Sequence, residues 1–141
     1  MKKIFIIDRS AQAFGLTIIR IGLGIIFMAH GIPKLLAGPQ TWLWLGSQMK
    51  YVGINFAPTL WGFLAACAEG IGGFMLLTGF ATRLAAFGIG SVMLVALFMH
   101  YHQGDAWTTI SHPLAIFVVM IGLFIAGSAQ WSIDEYLVDK K

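Results

Sequence analysis

Residues 14–36 read FGLTIIRIGLGIIFMAHGIPKLL. A helix needs about 20 mostly apolar residues to cross a bilayer. This stretch meets that length while keeping only Arg20, His30 and Lys34 as ionisable groups. Its reading decides the fold, because three further stretches of the same kind follow at 59–79, 84–101 and 113–129. Together they take up most of a 141-residue chain that is 58% hydrophobic and 11% charged, with a mean hydropathy of +0.81. A soluble domain carries about a quarter charged residues, so most of this surface is expected to face lipid. The expected fold is a single all-α membrane domain over 1–141, an antiparallel bundle of four transmembrane helices.

Four spans put both termini on one side. Lys2, Lys3, Arg9, Arg83, Lys140 and Lys141 fall on that side, and Lys34 and Lys50 on the other. Basic residues favour the cytoplasmic face, so both termini are expected in the cytoplasm. The N-terminal run Ile4–Ile7 is cut short by Asp8 and Arg9. A cleavable signal needs an apolar region of about seven residues or more, so the segment is expected to be retained. The net charge of +3 suits an anionic leaflet and calls for no nucleic acid.

The connections carry their own signals. In the loop AGPQTWLWLGSQMKYVGINFAP, residues 41–51 are expected to form a short interfacial helix with Thr41 as N-cap. Ser111 and Pro113 mark the expected start of the fourth span. Ser132 and Glu135 have the spacing of a capping box, which predicts a short surface helix at the cytoplasmic end.

Ionisable groups inside a span are costly unless paired or hydrated, which makes each a candidate site residue. Glu69 is the only acidic residue between Asp8 and Asp105. At about 1.5 Å per residue, Arg20 lies roughly 9 Å and Glu69 roughly 14 Å from the terminal side. The expectation is a buried Arg20–Glu69 ion pair, with Gly62, Ala65, Gly72 and Gly73 letting helices approach closely. Such a pair can serve as a structural pin or as part of a ligand site. His30 and Lys34 stand one turn apart near the other end, and His100 ends at a similar depth. They are expected to line a polar pocket open on that side, against the simpler reading in which Lys34 snorkels and His30 is a hydrogen-bonded core residue.

Other chemistries find little support. Cys67 is the only cysteine, so no internal disulfide or dithiol relay can form. Histidines near Met28, Met93 or Met99 could suit copper or haem, but no compact ligand motif is present and no metal site is assigned. The glycines form no phosphate loop, because EGIGGF is followed by no Lys-Ser.

The span-one arginine with GLGIIFMAHGIPKL, the span-two AEGIGGFMLLTGFATRLAA and the span-three MLVALFMHYH resemble the DoxX family of small four-span bacterial membrane proteins. The resemblance covers residues 20–102. It implies a bundle with a polar core lined by Arg20, His30, Lys34, Glu69 and His100, in a bacterial inner membrane. It also implies kinship with a membrane subunit of a thiosulfate:quinone oxidoreductase, and a fold likened to vitamin K epoxide reductase. The paired catalytic cysteines of that enzyme are absent here. The functional expectation is a redox-linked membrane component that binds a quinone or other lipophilic molecule, with a soluble or membrane redox enzyme as partner and self-association open. The alternative is a non-enzymatic scaffold or assembly partner.

Overall fold

The computed structural model describes residues 8–138. The basic residues Lys2, Lys3, Lys140 and Lys141 and the apolar run 4–7 lie outside the described residues. Six α-helices follow in order: α1 (Arg9–Leu36), α2 (Pro39–Gly46), α3 (Pro58–Thr78), α4 (Thr82–Gln103), α5 (Trp107–Ala126) and α6 (Ile133–Val138). A 3-10 helix, Ser47–Val52, continues α2. Helices α1, α3, α4 and α5 are each long and apolar enough to span a membrane. Large apolar side chains such as Ile18, Ile25, Phe74, Leu84 and Ile125 are more than half exposed. In water such a surface would aggregate; against lipid tails it is matched.

Helix α1 packs mainly on α3, α3 on α4, and α4 on α5. The α1–α3 seam is built on glycine. A Cβ at Gly31 would strike the backbone of Glu69 and Gly70, and one at Gly24 would lie 2.6 Å from the Leu77 nitrogen. With no hydrophobic drive between helices in lipid, such close approach supplies the attraction through van der Waals contact. Core side chains fill the other seams: Phe27, Leu76, Ala85, Ala86, Ile89, Met120 and Leu123 form the buried cluster.

The glycine contacts set the axial register. Gly31 is level with Gly70, and Gly24 with Gly73 and Leu77. Leu36 therefore ends level with about residue 65, and α3 runs on for roughly 10 Å past the end of α1. Helix α2 fills that gap. Its Gly46 and the Gly62 of α3 approach so closely that a Cβ on either would meet the other helix's backbone. The short helix expected to lie flat at the interface is thus packed into the bundle. It also starts earlier than Thr41: Gly38, at φ +84, is the N-cap, and Pro39 takes the first turn, where its missing N–H costs nothing. Trp42 Nε1 donates to Lys34 O over 2.9 Å, satisfying a carbonyl that the end of α1 leaves free.

Helix α5 begins at Trp107, six residues before Pro113, with Ala106 as an extended N-cap. Pro113 lies buried in the second turn. Its missing N–H leaves the Thr109 carbonyl without its helical donor, but the break falls within two turns of the helix start, so the rest of α5 is undisturbed.

The terminal end of the bundle is closed by α6. Glu135 N donates to Ser132 Oγ (3.1 Å), and Trp131 N donates to Glu135 Oε2 (2.8 Å). This is the expected capping box, with its return bond shifted by one residue. Asp134 goes further: its carboxylate accepts from Ala81 N (2.7 Å) and Thr82 N (3.1 Å), capping α4 from a distant segment. Ala81 is held at φ +46, a conformation uncommon for a residue with a Cβ. Asp134→Ala should lower stability by about 1–2 kcal/mol, read as a drop of a few degrees in the melting midpoint of the detergent-solubilised protein. An unchanged midpoint would show that the cap carries no load.

Candidate functional site

Glu69 points from the middle of α3 and is 3% exposed. Its partner is Lys34, whose Nζ lies 2.5 Å from Glu69 Oε2. The expected Arg20–Glu69 pair is not formed. The register explains why. Helix α1 is 28 residues long and overhangs the α3–α4 turn, so Arg20 is level with the end of α3. Glu69 is about two turns away, on the order of 10 Å. Lys34, placed near a wet helix end from sequence, instead sits one turn beyond Gly31 at the level of Glu69 and turns inward.

Beside this pair lies a cavity of about 670 Å³. Its walls come from three places: Trp44, Gly46 and Met49 of α2 and the 3-10 helix; Trp61, Leu64, Ala65 and Ala68 of α3; and Phe87 through Met99 along one side of α4. The lining is overwhelmingly apolar, and Lys34 and Glu69 are the charged groups in it. Between Phe87 and Met99 the α4 wall is roughly 18 Å long. Leu64, Phe87 and Ser91 are also exposed on the outer surface of the bundle, so the cavity communicates sideways with the lipid zone. Clefts of this size and character, apolar with a few polar groups, are typical of small-molecule sites.

The other expected site residues are elsewhere. Arg20 is 1% exposed and donates to three carbonyls: Leu76 O (2.8 Å), Leu77 O (3.2 Å) and Trp131 O (3.0 Å). Two of these end α3, where free carbonyls and the helix dipole favour a cation. Thr17 Oγ1 reaches Gln130 O at 2.9 Å beside it. Gly79, at φ +68, leaves room that a Cβ would take from the guanidinium. Arg20 thus ties α1, α3 and the 127–132 segment together at the terminal end. His30 is exposed and its Nδ1–H donates to Ile26 O of its own helix (2.9 Å). His100 Nδ1 is 2.6 Å from Asp105 Oδ2, fastening the end of α4 to the following loop. None of the three lines the cavity.

What sequence reading did not single out is Trp61. It lines the cavity, and its Nε1–H is buried with no hydrogen-bond partner. Only its apolar span neighbours were visible in sequence; the orphaned N–H arises from packing, with the Phe56 ring set edge-on at 6.1 Å. Among the described residues, no group of three or more His, Cys, Asp and Glu is arranged to hold a metal.

The DoxX family model matches residues 15–102, well over half of the chain, from the second turn of α1 nearly to the end of α4. No curated protein matches the chain, and no solved structure does.

Proposed function

The chain belongs to the DoxX family, and from that premise we propose that it is a membrane component that binds a quinone-like or other lipophilic small molecule in the cavity between α3 and α4. One observation carries the reading: a 670 Å³ apolar cavity at bilayer depth with a buried carboxylate, paired to a half-buried ammonium, in its wall. An ion pair that served only to pin helices would be better surrounded by packed side chains, since empty space beside it forfeits contacts without adding solvation. A ligand with a polar head and an apolar body satisfies both parts of the wall. Lys34 Nζ has donors beyond the one given to Glu69, and can hydrogen-bond a carbonyl oxygen. The pair can also hold or yield a proton next to that oxygen. Electron transfer would need a redox enzyme as partner or a bound cofactor, because a single cysteine offers no dithiol couple.

Both termini are proposed to lie in the cytoplasm of a bacterial inner membrane. Lys34 turns inward to Glu69, which leaves Lys50 as the basic residue of the opposite end and sharpens the charge asymmetry. In a Cys67→Ser background, a cysteine at position 140 should resist an impermeant reagent added to intact cells; rapid labelling would reverse the orientation.

Ligand binding is tested by organic extraction and mass spectrometry of protein purified in mild detergent. Wild type should retain a lipophilic molecule in near-stoichiometric amount. Ser91→Phe, which fills the cavity and leaves the ion pair intact, should retain at least tenfold less. Equal retention would remove the cavity from the binding role.

A further inference from the structure

We propose that the occupant of this cavity is an uncharged lipid-phase molecule whose hydroxyl group donates to Glu69 Oε1 and accepts from Lys34 Nζ. This rests on the reading of the cavity as a ligand site and adds the polar group that the ligand carries and the atoms that receive it.

The donor follows from the carboxylate. Glu69 is 3% exposed, and Lys34 Nζ is bonded to its Oε2. Among the described residues no hydrogen bond reaches Oε1. Yet Oε1 is not sealed in packing as Trp61 Nε1 is, and Glu69 lines the cavity, so the free oxygen is open to it. An ionised carboxylate only accepts, so the group that completes it must be a donor. The other acceptors among the lining side chains, Gln48 and Ser91, are neutral, and a hydrogen bond to a charged group is roughly twice as strong.

The rest of the group follows from Lys34, whose Nζ gives one N–H to Glu69 and keeps others. The oxygens of one carboxylate are two C–O bonds apart, at most about 2.5 Å. Nζ lies 2.5 Å from Oε2, so it is within about 5 Å of Oε1. Two hydrogen bonds of about 2.8 Å each span that distance, so one oxygen atom can meet both groups. A hydroxyl donates and accepts from a single atom, which suits a wall that is otherwise apolar. A cationic donor or an anionic acceptor would add a charge to a pair that already neutralises itself, in a medium that solvates the excess poorly. The apolar remainder of the wall, from Phe87 to Met99, takes the carbon chain, which enters sideways from the bilayer.

Labelled probes sharing a sixteen-carbon chain test this: hexadecane, hexadecanol, its methyl ether, palmitate and hexadecylammonium. Their retention is measured by gel filtration in detergent, each corrected for its partition into protein-free micelles. Wild type should hold hexadecanol about tenfold more tightly than the ether, which keeps the acceptor and lacks the donor, and more tightly than either charged probe. In Lys34→Met combined with Glu69→Leu, which removes both charges together, that preference should vanish while hexadecane retention changes less than twofold. Equal retention of alcohol and ether by wild type, or a preference that survives in the double variant, would overturn the hydroxyl's role at Glu69. The wild-type ratio decides this by itself if the double variant does not fold. A charged probe that outbinds the alcohol would overturn neutrality. Each of these results leaves the cavity a ligand site, since the alkane is still held. Absence of every probe from wild type would overturn this inference and the ligand-site reading together.

Discussion

Lys34→Met should destabilise the protein by about 3–5 kcal/mol, because it leaves Glu69 buried without a counter-charge. In a chain of this length that corresponds to a fall of roughly 10 °C in the melting midpoint. The loss should be largely recovered in Lys34→Met combined with Glu69→Leu, since removing both charges also removes the need to solvate either. The two sites are in contact at 2.5 Å, so their effects should be strongly non-additive. Arg20→Met combined with Glu69→Gln provides the contrast. Arg20 is engaged by the carbonyls of Leu76, Leu77 and Trp131, about two turns from Glu69, and those losses should simply add. Additivity for Lys34 with Glu69, or coupling for Arg20 with Glu69, would contradict the pairing. The measurement is thermal unfolding of each variant in detergent, followed by a double-mutant cycle.

Gly31→Val should cost at least about 3 kcal/mol, at the upper end of what overpacking does. Its Cβ would lie 2.5 Å from Gly70 Cα and from the Glu69 carbonyl carbon, and closer still to the Gly70 nitrogen. These are backbone atoms with no rotamer by which to yield, so α1 must move off α3. The displacement would also draw Lys34 away from Glu69, one turn beyond. Gly22→Ala is the matched control. It lies on the same helix with nothing within 4 Å of its added Cβ, so better helix propensity should leave stability unchanged or slightly raised. If both variants melt like wild type, the close α1–α3 seam is not what holds the bundle.

Both predictions turn on axial register, and register divides what sequence determined from what tertiary structure decided. The four spans could be read directly because crossing a bilayer is a property of each segment alone: length and apolar content suffice. The capping box at Ser132 and Glu135 was equally local. The small residues of the second span were recognisable too, although the packing assigns them to different neighbours: Gly62 to α2, Gly73 to α1 and Gly72 to Ile89 of α4. Arg20, Lys34 and Glu69 could be marked as significant because a charge in lipid must be answered. Which charge answers which was not a local property. The depth estimate assumed that every helix starts at one plane, whereas the Gly31–Gly70 contact slides α1 until Lys34, not Arg20, is level with Glu69. The end of α1 part-way up α3 then makes room for α2, and the cavity is the space those displaced elements leave beside α4. Sequence states which groups cannot stand alone in a membrane. Their partners, and the void that a ligand could fill, come from how far one helix slides along another, which backbone contact at glycine sets.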